Sequence, residues 1–393
     1  MRICLVSTGY PIANQAIVSG LYAANQTLAR GLASAGHEVH VVTFSGEEDW
    51  DDDGASIHHI RRPNLHYYLG KVPLLGERTT RAVRELEISH SLCHAVFTLD
   101  SSLKFDVVES AEDGSVGMGL LDRRMVTIIR LHGDDYTFLQ HTPGIRVPSD
   151  YRLCRVFQRI GLRNARHLVS PSIAHADEIA REINRDRADI SVIPHDLPAW
   201  WPIGHDPVVE DIVLWVGRLE RRKGIIDALR GFRGVLDARP EARLVVIGSA
   251  HRTVDPKLVA QEIDRLNLKR NIQMIGSMPH NQIISWYKRA RIFLFPTYYE
   301  TFGLVALEAM ACGLPVVGYR AGAVPEIVED KHTGLLVEPG DTTGLAASML
   351  RLISDDAVWN AMSQASIQSI DQYRHSRAIT ATESVYTQLL GRP

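Results

Sequence analysis

The sequence predicts an α/β protein made of two doubly wound domains that face a cleft, each a parallel sheet between layers of helices. Three observations predict it. The chain has 393 residues, more than one ordinary hydrophobic core supports. Apolar runs of strand length, without alternation, recur through both halves between helix-length spacers, the pattern of strands buried on both faces. The rhythm breaks at "HDLPAWWPIGHDPVVED" (His195–Asp211), whose three prolines and two tryptophans mark an interdomain linker.

The first half supplies "RICLVS" (Arg2–Ser7), then the Gly/Pro-containing loop "TGYPIANQAIVSG". A helix follows, with Leu21, Ala24, Leu28 and Leu32 at helical spacing and Gly36 as its stop. "HEVHVVTF", "DVVES", "MVTIIRLHG", "RHLVSPS" and "DISVIPH" continue the strands. Residues 61–104 mix basic, aromatic and apolar side chains, with one long helix over about Arg78–Phe97. "DWDDDG" (Asp49–Gly54) reads as a solvated acidic turn. After the linker come "DIVLWVGRL", "ARLVVIGS", "NIQMIGS", "RIFLFPT", "LPVVGYR" and "TGLLVEP", then a helical C-terminal stretch.

Hydrophobic residues make up 45% and charged residues 23% of the chain, as in an ordinary globular protein. The net charge of -3 argues against a general nucleic-acid binder. Cys4, Cys93, Cys154 and Cys312 lie far apart with no C-x-x-C, so reduced, buried thiols are expected and zinc is not. "ICLV" near the N-terminus is strand length, far short of a signal core or a membrane span. A cytoplasmic protein is expected, with peripheral attachment to a membrane left open.

In doubly wound sheets, ligands bind beyond the carboxyl ends of the strands. "WVGRLERRKGI" follows the first strand of the second domain. Gly217 ends that strand, and Arg218 and Lys223 stand at the start of a helix, whose N–H groups and dipole favour phosphate. Arg221 and Arg222 also lie there, so a solvated basic turn fits as well. "FPTYYETFGLVALEAMACG" puts Glu300 in a loop and Thr301-Phe302-Gly303 at a helix start. Gly303 would admit a ligand close to the backbone, with the Phe302–Leu304 N–H groups facing an anion or sugar hydroxyls. Glu308, placed two turns in, would accept from the vicinal hydroxyls of a ribose. A dipole-favoured acid at Glu300 and a solvated face at Glu308 are the competing readings. "RLHGDDY" sets His132 at a carboxyl end, as a site residue or a structural histidine. Asp134-Asp135 has no further oxygen ligands near it, so no metal is expected. Gly20 opens a helix that could take a phosphate, yet G-x-G-x-x-G is absent, which argues against a nicotinamide enzyme.

Together these residues resemble family 4 of the retaining glycosyltransferases, which have two Rossmann-like domains (the GT-B type). The E-x7-E pattern "ETFGLVALE", followed by "AMACGLPVVGYRAGAVPEIVEDKHTGLLVEPGD", is the most specific match, and "GRLERRKG" and "LHGDD" agree in order and spacing. The resemblance implies an acceptor-side domain over 1–200, completed by a final helix at about 376–393, and a donor domain over 201–375. It implies that Arg218 and Lys223 hold the donor diphosphate and that Gly20 and Gly217 let backbone approach it. Glu300 and the backbone of Phe302, Gly303 and Leu304 would contact the transferred sugar, and His132 would lie beside it. Glu308 would bind ribose, and Ser277 and Met278 of "GSMPHNQ" would contact the base, largely through backbone. Ser19-Gly20 stands where the family has a glycine pair, and Pro194-His195-Asp196 where it has Pro-Asn-Gly. The implied reaction moves a sugar from a UDP- or GDP-sugar to a hydroxyl of a saccharide, glycolipid precursor or small molecule. It needs no metal or other cofactor. Retention would follow from same-face attack, with Glu300 as a nucleophile the rival account. A sugar-nucleotide epimerase of similar fold and a non-catalytic nucleotide-sugar binder are the alternatives. The first needs an acid–base set that the sequence does not assign, and the second should have lost Arg218, Lys223 or a motif glutamate. A basic and aromatic stretch, Arg61–Leu86, could dock on anionic lipid, or simply pack on its domain with Glu77, Glu85 and Glu87 partly cancelling the charge.

Overall fold

Valine, isoleucine and leucine runs pair into two sheets in a computed structural model of the chain. It describes all residues except 13–19, 70, 72–75, 113–114, 119–124, 199, 207–209, 251–253, 374 and 392–393, and leaves out the side chains of 69, 76–79, 115, 375 and 376. The chain divides into two units. Unit 1 holds Met1–Gln140, Ile145–Asp196 and His375–Pro393, and unit 2 holds His141–Gly144 and Leu197–Arg374.

Unit 1 runs β1 (Arg2–Ser7), α1 (Gly20–Ser34), β2 (Glu38–Thr43), β3 (Trp50–Asp52), β4 (Ala55–His59), α2 (Leu65–Leu69), α3 (Gly76–Leu103), β5 (Val107–Ala111), α4 (Ser115–Met118), β6 (Val126–Arg130), α5 (Asp135–Gln140), α6 (Ser149–Asn164), β7 (His167–Ser170), α7 (Ile173–Ile183) and β8 (Ile190–Val192). The strand order is β3-β4-β2-β1-β5-β6-β7-β8. All neighbours pair in parallel except β3 with β4. Alternate residues of β1 serve two cores: Ile3 and Leu5 join one cluster, Cys4 and Val6 the other.

Unit 2 runs β9 (Ile212–Val216), α8 (Ile225–Leu236), β10 (Arg243–Ile247), α9 (Pro256–Arg265), β11 (Ile272–Gly276), α10 (His280–Arg289), β12 (Ile292–Phe295), α11 (Leu304–Ala311), β13 (Val316–Tyr319), α12 (Val324–Ile327), β14 (Gly334–Val337), α13 (Thr342–Ser354) and α14 (Asp356–Ser369). Its wholly parallel sheet has the order β11-β10-β9-β12-β13-β14. This is the doubly wound order in which the connections reverse beside the first strand. Ile212, Leu214 and Val216 face one core, Val213 and Trp215 the other. The last helix, α15 (His375–Leu390), belongs to unit 1. It packs Ile379, Tyr386 and Leu389 into the cluster that holds Ile3 and Leu5.

Four expectations need correction. The Asp49–Gly54 stretch is solvated at Asp49, Asp51, Asp53 and Gly54, and turns at Asp53-Gly54, but it is more than a turn. It forms the β3–β4 hairpin, because Asp52 has inward partners: Arg30 at 2.7 Å, the Tyr10 hydroxyl at 2.8 Å and Gln26 at 3.2 Å. The long helix α3 reaches from Gly76 to Leu103, past both expected ends. The helical C-terminal stretch is broken by a tight 3₁₀ turn at Ile370–Tyr373. Glu308 lies one turn into α11, not two, and is buried.

Cys4, Cys93, Cys154 and Cys312 are free and buried. Burial pushes the Cys93 thiol up to about 11. No described helix is long and apolar enough to cross a membrane. Of Arg61–Leu86, residues 70 and 72–75 lie outside the described residues, together with the side chains of Leu69 and 76–79. Tyr67 and Tyr68 there are exposed, and the Lys71 ammonium sits over the Tyr67 ring at 4.4 Å.

Candidate active site

In unit 2 the connections reverse between β9 and β12, so the segments leaving those strands flank one crevice. The segment after β9 carries Gly217, Arg218 and Lys223, and the one after β12 carries Glu300. Gly224 brings them together. It has φ +67°, and a Cβ there would lie 1.9 Å from the Pro296 carbonyl oxygen. Only glycine lets the turn press so closely against the end of β12.

The Lys223 ammonium is ion-paired with Glu300 Oε1. Thr297 Oγ1 lies 3.4 Å from the same oxygen and the Arg222 guanidinium 3.6 Å from it. Arg222 is buried, donates to the Tyr299 carbonyl at 2.7 Å and pairs with Glu220 at 2.7 Å. The basic turn is therefore not a solvated one: Arg222 is its structural member. Arg218 is half-exposed, its guanidinium 3.5 Å from Glu220. Burial pushes the Lys223 ammonium below the usual lysine range, while Glu300 opposes that shift. The crevice thus presents a part-buried cation and an exposed one beside a carboxylate, a set suited to a diphosphate and a polyol.

Gly303 caps the start of α11 at φ +111°, a backbone that favours glycine. Phe302 turns its ring into the core, edge-on to Tyr373 at 5.9 Å, which leaves its backbone as the part that a ligand could meet. Leu304 begins the helix. Glu308 Oε1 is 2.8 Å from His280 Nε2, and the Tyr287 hydroxyl donates to Oε2 at 3.1 Å. The Trp201 indole donates to the Glu308 carbonyl at 3.3 Å. Ser277 is exposed and Met278 packs on the core, both in the turn between β11 and α10 that leads to His280.

In unit 1, Gly20 is the first residue of α1, and the rest of the loop before it, 13–19, lies outside the described residues. His132 follows β6. Its backbone N–H and that of Gly133 donate to Glu112 Oε2 at 2.8 and 3.0 Å. Its ring stacks on His195 at 5.3 Å and 8°. Burial, with His195 beside it, pushes the His132 imidazole well below its usual range, so it is neutral at pH 7. Both histidines line a cavity of about 30 Å³ shared with Asn25, Arg130, Asp196 and Thr382. That is room for a water or two. Among the described residues, no group of three or more His, Cys, Asp or Glu side chains is arranged to hold a metal ion.

A family model described as "Glycosyl transferases group 1" matches residues 205–369, and one described as "Glycosyl transferase 4-like domain" matches 19–196. The chain belongs to the GT-B glycosyltransferases of the group 1 and family 4-like kind. The chain is 30% identical over 187 residues to the D-inositol 3-phosphate glycosyltransferase of Corynebacterium aurimucosum, across 47% of the chain and 44% of that protein. It therefore spans less than half the length of that relative. It is 22% identical to the N-acetyl-alpha-D-glucosaminyl L-malate synthase of Bacillus anthracis over 99% of the chain and 98% of the relative. Among solved structures, sucrose-phosphate synthase from Thermosynechococcus elongatus superposes with TM-score 0.83 at 21% identity, covering 99% of the chain and 98% of its own. Anabaena HepE in complex with UDP and glucose superposes at 0.73 with 15% identity, covering 99% and 100%. Both likenesses show the fold alone.

Sequence reasoning missed the roles of Arg222, Glu112 and His280. The signal for His280 was its place just after a strand, in "GSMPHNQ", where contacts largely through backbone were expected. Glu112 follows β5, which neighbours β1 at the point where the unit 1 connections reverse.

Proposed function

We propose that the protein is a retaining hexosyltransferase that moves a sugar from a UDP- or GDP-sugar to an acceptor hydroxyl without a divalent metal. The observation that carries the reading is the paired crevice of unit 2, where Arg218 and the Lys223–Glu300 pair meet at the carboxyl ends of β9 and β12. Transfer breaks the bond between the sugar's anomeric carbon and the diphosphate oxygen, and forms one to the acceptor oxygen. The leaving diphosphate gains charge, and Arg218 and Lys223 stabilise it in a pre-organised site. The acceptor's proton passes to the departing phosphate oxygen on the same face, so configuration is kept. Glu300, held by Lys223 and near Thr297, takes sugar hydroxyls together with the backbone of Phe302–Leu304. Glu308 takes the ribose, and the backbone at Ser277 and Met278 meets the base. Gly20 and Gly217 leave room for the phosphates, and the neutral His132 contacts the transferred sugar. A relative solved with UDP and glucose supports a nucleotide-sugar donor.

The acceptor is a saccharide, a glycolipid precursor or a small molecule, and the reaction runs in the cytoplasm. The test is a screen of UDP-, GDP- and ADP-sugars, read as nucleotide release, followed by NMR of the product's anomeric configuration. Release from a UDP- or GDP-sugar with an α-linked product from an α-linked donor is expected. An inverted product, or no release from any donor, would overturn the reading.

A further inference from the structure

Glu308 is a carboxylate one turn into a helix whose other inward residues, Ala306, Leu307 and Met310, are buried and apolar. A leucine would pack there without the cost of burying charge. The glutamate is instead tied from three directions. His280 Nε2 meets Oε1 at 2.8 Å, the Tyr287 hydroxyl donates to Oε2 at 3.1 Å, and the Trp201 indole donates to its carbonyl at 3.3 Å. Trp201 also packs on the His280 ring at 4.9 Å, so one side chain steadies both partners. Tyr287 is fully buried, whereas His280 keeps 23% of its side chain exposed. The pair therefore runs from the core to the rim.

A carboxylate oxygen accepts more than one hydrogen bond. Both oxygens can hold their present donors and still receive a hydroxyl each. What the donors fix is the plane of the carboxylate. A free glutamate has several rotatable bonds and would lose that freedom on gripping a diol. We propose that His280, with Tyr287, is a positioning residue that sets the Glu308 carboxylate to read the ribose 2′- and 3′-hydroxyls, and so selects ribonucleotides over deoxyribonucleotides. The proposal rests on the reading of unit 2 as the nucleotide-binding unit. Burial alone would make the His280 imidazole harder to protonate, and Glu308 more than offsets that, raising it above its usual range. The pair thus carries charge-assisted character that favours a single geometry.

The experiment is calorimetric titration of UDP, GDP and their 2′-deoxy counterparts into the wild type, H280A, H280Q and E308Q, with melting temperatures measured alongside. The wild type should prefer the ribonucleotide by about tenfold, because a site built for a hydroxyl rejects the analogue lacking it. In H280A and E308Q the preference should fall to about twofold or less. H280Q, whose amide can donate in place of Nε2, should recover most of it. H280N, too short to reach Glu308, stands in for H280A if that variant melts early. A wild-type preference in H280A or H280N alongside its loss in E308Q would overturn the role of His280. Binding of neither nucleotide to the wild type, or full preference in E308Q, would overturn the nucleotide reading beneath it.

Discussion

Lys223 gives up much of its hydration to stand against Glu300, and burial lowers its proton affinity while Glu300 restores part of it. A cation held this way needs little rearrangement when a diphosphate arrives, which is the condition for electrostatic stabilisation of a leaving group. Arg218 is half-exposed and can swing toward the same anion. We expect Lys223→Ala and Arg218→Ala each to lower kcat/KM by about 100-fold, roughly 3 kcal/mol in the transition state, with unchanged melting profiles for Arg218→Ala. Near-wild-type kcat/KM in both would remove these residues from the mechanism. Residue types and their place after strands were legible in "GRLERRKG" and "ETFGLVALE". Partners were not, since the Lys223–Glu300 pair spans 77 residues and the His280–Glu308 pair 28. Arg222 looked like any surface arginine because its burial comes from Glu220 and Tyr299, which only the folded turn assembles.

Helix α15 is fastened to the unit 1 sheet by polar groups under its apolar face. Arg130 pairs with Glu109 at 2.6 Å and donates to Thr382 at 3.1 Å, and the Tyr386 hydroxyl donates to Glu109 at 2.9 Å. At the helix start, Asp196 accepts from the Ala378 N–H at 3.2 Å. Burial raises the Asp196 carboxyl to about 7, with the Ala378 N–H and Arg130 opposing. The folded protein therefore keeps this proton in a range where the unfolded chain has lost it. Stability from this group falls as pH rises from about 4 to about 7, then levels off. The gap bounds the effect at about 4 kcal/mol. Asp196→Asn should flatten that slope, so that relative to wild type it gains stability at pH 8 over pH 5. Parallel melting curves at both pH values would refute the assignment. The strand runs of both sheets were legible because they are apolar and lack alternation. The β3–β4 hairpin was not, because "DWDDDG" reads as solvent-loving until Arg30 and Tyr10 supply its partners.

Each unit repeats one device: a parallel sheet whose connections reverse beside its first strand. That duplication was legible from the spacing of apolar runs, and the resemblance to GT-B transferases rested most on "GRLERRKG" and "ETFGLVALE", which leave β9 and β12 where the unit 2 reversal opens a crevice. If basic side chains meet the diphosphate, exhaustive chelation should leave turnover unchanged. Complete loss restored by magnesium or manganese would sink the metal-free account. In the Arg61–Leu86 stretch, Arg81 is already engaged, bonded to Asp135 at 2.6 Å and lying over the Tyr151 ring at 3.9 Å. Liposome co-sedimentation should therefore find no salt-sensitive binding to anionic vesicles. Binding that Arg78→Glu/Arg81→Glu abolishes would reverse this expectation.

The membership of α15 in unit 1 has a consequence for synthesis. Unit 2 becomes complete once Arg374 has left the ribosome, whereas unit 1 must wait for the segment translated after it. Until then the apolar surface that Ile379, Tyr386 and Leu389 cover stays bare. Nascent chains stalled before His375 would present that surface to chaperones, while unit 2 has already folded behind it.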